Sequence, residues 1–218
     1  MALSINGTTG ISGVDGSVSA PAVTGTDSNT GITFPSADTI KFATGGVERM
    51  AITNSGISGI TAGITMADQW RINTDLTLTQ TTAVDITANW ERADTYGFGQ
   101  LGTGMTESSG IFTFPSTGIY LIRFQGSTYT NSGASVQNRV RITTTTDNSN
   151  YNIASSGFFS NYAGAVSSSG SAEFQFDVTN TSTHKVRFQY FTQGSNVKFI
   201  TTTTGNITFA TFIRLGDT

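Results

Sequence analysis

No cysteine occurs in the 218 residues, which excludes disulfide staples, thiolate zinc sites and cysteine nucleophiles. Charge is scarce too: Asp, Glu, Lys and Arg make up 11% of the chain, against about 25% in ordinary globular proteins. Disordered and phosphate-tracking chains are usually charge-rich. With a net charge of −3 and no basic run, neither class fits, and no nucleic-acid partner is expected. No apolar run approaches the ~18–20 residues that span a bilayer, so no membrane insertion is expected. The first residues, Met1-Ala2-Leu3-Ser4-Ile5-Asn6-Gly7, lack the basic and apolar regions of a secretory signal. Helical periodicity is missing as well: no segment holds a 3.6-residue repeat over three turns.

What the chain has instead is Gly, Ser, Thr and Asn, with 25 glycines, and a large aromatic content that includes 15 Phe. That composition suits neutral hydrogen-bonding β surfaces joined by tight turns. The distribution is uneven. Residues 1–65 are Gly/Ser/Thr-rich, and their only aromatics are Phe34 and Phe42. Within them Thr39-Ile40-Lys41-Phe42-Ala43-Thr44 and Arg49-Met50-Ala51-Ile52-Thr53 alternate cleanly around Gly45-Gly46, which predicts a hairpin. A lone hairpin buries too little to persist in water, so this segment needs a docking surface or neighbouring copies; the other reading is a flexible tether.

Residues 66–218 read as a denser all-β unit. Val140 and Ile142 alternate with Arg139 and Arg141; Phe174, Phe176 and Val178 alternate with Glu173, Gln175 and Asp177. Val186, Phe188 and Tyr190 oppose Lys185, Arg187 and Gln189, and the last run places Phe209, Ile213 and Leu215 on one face. Breaks recur every ~8–15 residues, the spacing of a sandwich or barrel. In Gly118-Ile119-Tyr120-Leu121-Ile122-Arg123-Phe124, Tyr120, Ile122 and Phe124 share one face while Ile119 and Leu121 share the other. A strand apolar on both faces needs two covers, and another copy of the chain is the natural second one.

The features Ala88-Asn89-Trp90-Glu91-Arg92, Gly110-Ile111-Phe112-Thr113-Phe114-Pro115 and Gly118-Ile119-Tyr120 resemble the C1q/TNF-type jelly roll over about residues 84–216. The resemblance implies a β-sandwich head that forms trimers through its inner sheet. Ile119, Leu121 and Phe212 are the residues expected at that interface. Residues 24–50, with Ala37-Asp38-Thr39-Ile40-Lys41-Phe42 and Thr44-Gly45-Gly46-Val47-Glu48-Arg49-Met50, resemble a segment of bacteriophage fibre and virion-appendage proteins; the following Asn54-Ser55-Gly56-Ile57-Ser58 departs from that pattern. The order of parts implies a virion structural protein. Its residues 1–65 would attach to other virion proteins and residues 66–218 would form the head, as a host-attachment tail fibre or as a capsid decoration.

Few residues suggest chemistry, and neither a cofactor nor a metal is expected. Gly97-Phe98-Gly99-Gln100-Leu101-Gly102 matches a dinucleotide fingerprint by letters, but no helical run follows it, so it reads as a loop. His184, the sole histidine, reads as a solvated strand end. Asp147-Asn148-Ser149-Asn150 offers oxygen ligands with one carboxylate, too few for calcium on its own. Asn148, Asn150, Tyr151 and Tyr162 are the candidate rim for a saccharide, because amides and aromatic faces suit sugar hydroxyls and C–H groups. Asp85, Glu91, Asp94 and Glu107 are close in sequence, which leaves a polysaccharide-cleaving pair as a minor alternative. The repeated coils of such enzymes are absent, and the chain is expected not to be an enzyme.

Overall fold

Period-two alternation between glycine- and asparagine-rich turns gives strands throughout. A computed structural model describes residues 4–6, 10–12, 15–59, 63–78, 81–131, 135–162 and 164–218, and no helix occurs among them. The chain divides into two compact units, Met1–Ala62 and Gly63–Thr218.

In the first unit, β1 (Ser4–Asn6) pairs with β2 (Gly10–Ser12), and β3 (Gly16–Ser17) pairs with β4 (Ala20–Pro21). A five-stranded antiparallel meander follows: β5 (Val23–Thr24), β6 (Gly31–Thr33), β7 (Ile40–Thr44), β8 (Val47–Thr53) and β9 (Gly56–Ser58). The predicted hairpin is β7–β8. Gly45 and Gly46 both take positive φ, 60° and 73°, the left-handed pair that a two-residue turn needs to follow strand twist. Little is buried in the meander, chiefly Thr33, Ala43 and Ala51, while Val23, Val47 and Ile57 are exposed.

The second unit contains β10 (Met66–Ile72), β11 (Val84–Asp85), β12 (Trp90–Arg92), β13 (Thr106–Ser108), β14 (Ile111–Thr113) and β15 (Gly118–Thr130). It continues with β16 (Ser135–Thr145), β17 (Asn152–Asn161), β18 (Val166–Val178), β19 (Lys185–Thr192), β20 (Val197–Phe199) and β21 (Phe209–Gly216). They form two six-stranded antiparallel sheets. The first runs β12-β10-β21-β15-β18, with β20 also on β15; the second runs β13-β14-β19-β16-β17, with β11 also on β19. Successive strands keep crossing from one sheet to the other, and the last strand lies between β10 and β15. This is jelly-roll connectivity.

The core fills with rings from both sheets. Phe112 meets Trp90 edge-on at 5.0 Å and lies 5.3 Å from Phe212; Phe124 lies 4.8 Å from Phe188. The Phe-Pro-Ser-Thr-Gly-Ile-Tyr junction is now explained. Phe114 packs on Tyr120 at 4.7 Å, and the Tyr120 hydroxyl donates to the Ser116 carbonyl at 3.0 Å, closing the turn into β15.

Candidate functional site

The outward face of the first sheet is built by every second residue of β18, β15, β21 and β10. Strand register places Gln175, Leu121, Ile213 and Ala67 in one row across it, and Glu173, Arg123, Thr211 and Gln69 in the next. Ile119 begins the face beside Asp177, and Phe209 lies opposite Gln125. Tyr120, Ile122 and Phe124 point the other way and are fully buried. The doubly apolar strand is therefore real, and its second face stands half-exposed on the single chain: Ile119, Leu121, Phe209 and Ile213 are each only partly covered. A shallow depression there is lined by Leu121, Arg123, Glu173, Phe209 and Ile213.

Phe212 does not belong to this face. It is 0% exposed and packs against Phe112 and Phe188, because it pairs with Ile122 and Asp68 on the inward side of the sheet. Phe209 and Ile213, one residue out of phase in the opposite sense, supply the apolar surface that was expected of Phe212.

At its Glu91 end the face is closed by an ion cluster. Arg71 is 1% exposed; its Nε donates to Glu91 at 2.9 Å, and its Nη2 donates to Asp94 at 2.6 Å. Burial alone would lower the Arg71 pKa, but the bonds to Asp94 and Glu91 hold it above the ordinary arginine value. A buried carboxylate, Asp68, was not singled out by the sequence. It accepts from Trp70 Nε1 at 2.9 Å, from Arg92 Nε at 3.1 Å and from the Met105 backbone N–H at 2.8 Å. These groups converge from three separate segments, a coincidence that no local pattern displays.

The four carboxylates considered for glycoside cleavage do not face one cleft. Glu91 and Asp94 serve Arg71, Glu107 accepts from the Gly110 N–H at 2.6 Å, and Asp85 bonds Gln189 and Arg187 in the other sheet. The Gly97–Gly102 stretch is a loop, as expected; Leu101 pairs with Ala67 along the edge of β10.

The proposed saccharide rim does not assemble. Asn148, Asn150 and Tyr151 precede β17 and Tyr162 follows it. Ten strand residues at about 3.3 Å each put the two groups roughly 30 Å apart, at opposite ends of the sandwich. Tyr162 is 82% exposed. The Asp147 carboxylate accepts from the backbone N–H groups of Ser149 and Asn150 and from the Thr145 hydroxyl, so it caps its own loop. Those bonds, above all from Asn150, hold its pKa well below the usual carboxylate range. Among the described residues, no three His, Cys, Asp or Glu side chains gather to hold a metal.

His184 departs from the solvated reading. It is 8% exposed, stacked on Phe176 at 5.5 Å, with Thr179 at 3.3 Å from Nε2 and Thr183 at 3.1 Å from Nδ1. An apolar ring at the strand end shelters it, which no turn signal foretells.

No known protein-family profile matches the sequence, and no curated protein matches it. Solved structures do. The second unit is similar to the Eiger TNF from S. frugiperda, at 14% identity over 72% of this chain and 96% of that chain, with a TM-score of 0.53. It is also similar to murine APRIL at pH 5.0, at 14% identity over 69% of this chain and 98% of that one, with a TM-score of 0.50. The head is thus an all-β, TNF-like jelly roll.

Proposed function

We propose that the chain is a non-enzymatic virion structural protein that works as a homotrimer. Residues 66–218 would form the head that contacts the host surface, and residues 1–65 would attach it to other virion proteins. The observation that carries the self-association is the half-exposed apolar face of Ile119, Leu121, Phe209 and Ile213. Such a face on a regular, well-ordered sheet favours burial against identical copies, as in the trimers that the C1q/TNF-type resemblance implies. A stable interface hides about 800 Å² on each partner, an area that one face of a six-stranded sheet can supply. Three heads in one particle then contact a surface with avidity that one lacks.

The virion setting rests on the resemblance of residues 24–50 to fibre and appendage segments. The exposed Val23, Val47 and Ile57 of the small meander give that segment apolar surface for docking. The alternative placement is capsid decoration, by a head fibre or cement protein. Sedimentation in dilute buffer should give three times the chain mass of 22.9 kDa. A well-behaved monomer at micromolar concentration ends the trimer reading. Immunogold labelling of intact particles separates the placements: label at the tail removes decoration, label on the shell removes the tail fibre, and unlabelled particles remove both.

A further inference from the structure

The second sheet has an outward face of a different kind. Register across β17, β16 and β19 sets Phe158, Arg139 and Phe191 in one row and Ser156, Arg141 and Gln189 in the next. Arg187, opposite Thr143, continues the face. The Arg139 guanidinium is held between two rings, 4.8 Å from the Phe158 centroid and 4.9 Å from that of Phe191. Arg187 lies 3.7 Å over the Tyr151 ring.

The acid on this face is Asp85, and it is already engaged by Gln189 Nε2 at 2.9 Å and Arg187 Nη1 at 3.4 Å. Arg139 donates to Gln137 Oε1, a neutral acceptor, and Arg141 has no hydrogen-bond or ion-pair partner among the described residues. Three buried side-chain polar atoms lack a partner among those residues: Arg139 Nε, Arg141 Nε and the Tyr151 hydroxyl. All three belong to this region. Burial first, and then the like charge of Arg139, push the Arg141 pKa below its ordinary value. Two arginines two residues apart on one strand, neither paired with an acid among the described residues, are a costly arrangement that an anion relieves.

We propose that this face binds an acidic polysaccharide, with Arg139 and Arg141 pairing with its carboxylate or sulfate groups. Guanidinium forks match such planar or multidentate oxyanions, and the rings fix Arg139 in place before the ligand arrives. Phe158 is 61% exposed beside Arg139 and offers a face for sugar C–H groups, and the partly covered Ser156 adds a neutral hydrogen-bonding side chain. A nucleic acid is the poorer fit, since the chain as a whole carries −3 and its sequence holds no basic run to track a phosphate backbone. As the ligand class of the surface-contacting head, the inference rests on the reading above; as a binding property of the chain, it needs only the second sheet.

The test is binding of the full chain to polygalacturonate and dextran sulfate, with plain dextran as the neutral control, at low and high salt. Salt-sensitive binding to at least one of the charged polymers and none to dextran is expected. The double variant Arg139→Gln/Arg141→Gln should lose about tenfold or more in affinity. Lys198→Gln, whose ammonium pairs with Asp75 away from this face, should keep it. The melting temperature of the double variant should hold or rise, because it loses two buried unpartnered Nε atoms. If the double variant does not fold, Arg141→Gln alone decides by the same criterion. Absence of binding to both acidic polymers, equal binding to dextran, undiminished binding by the variants, or tighter binding to single-stranded DNA overturns the proposal. None of these outcomes alters the oligomer mass, so this inference and the trimer fail separately.

Discussion

Phe212 shows how much rides on the phase of one strand. Its neighbours Phe209 and Ile213 look outward, yet it contributes its ring to the contact of Phe112 with Phe188. Truncating Phe212→Ala removes a fully buried ring and should cost about 3–5 kcal/mol, read by chemical denaturation. A variant of near-normal stability that fails to oligomerise would place the ring at the interface after all. Asp68 makes the same point for polar groups. Its side chain is inaccessible and holds Trp70, Arg92 and the Met105 N–H together, but in sequence it is an ordinary acid in an alternating run. Rings at period two are visible in the chain; the partners of a buried carboxylate are not, because they come from residues up to 37 positions away.

At the level of elements, the sandwich is closed along one side where β17 approaches β18 from the other sheet. Gly157 sits at that approach: a Cβ there would lie 2.0 Å from the Ser171 carbonyl oxygen. No left-handed backbone is needed, only the absence of a side chain. Gly157→Ala should therefore destabilise the head by about 1–3 kcal/mol, measured as a lowered midpoint in denaturant. A variant as stable as the parent would mean that the two strands part at no cost. The individual strands and the Gly45-Gly46 hairpin were legible from alternation and turn residues. Their pairing was not, since β10 with β21 and β14 with β19 are joined across long stretches of chain that local patterning does not relate. The saccharide rim failed for the same reason: residues close in sequence were assumed close in space, but a ten-residue strand separates them.

For the whole molecule, the question is what covers the face of Ile119 and Leu121. Leu121→Glu or Ile119→Glu puts a carboxylate on that face while leaving the inward side of β15 intact. Soluble protein of monomer mass is expected, with little loss of stability, measured by sedimentation and thermal melting. By contrast Tyr120→Ala or Phe124→Ala removes fully buried rings and should unfold the head. If the two glutamate variants leave no soluble species, the face is part of the subunit's own core and the oligomer argument falls.

The amino-acid order by itself determined that this is a β protein of sandwich or barrel type, because alternation writes burial directly into the sequence at a period of two; the jelly roll came from the resemblance over about residues 84–216. The order also determined that β15 would be apolar on both sides. Only the tertiary structure decided which side of β21 joins that outer surface, which acids meet which arginines, and that Arg139 and Arg141 stand together without one among the described residues. Those facts depend on register between strands distant in the chain. A shift of a single residue there exchanges one face for the other without changing any local pattern.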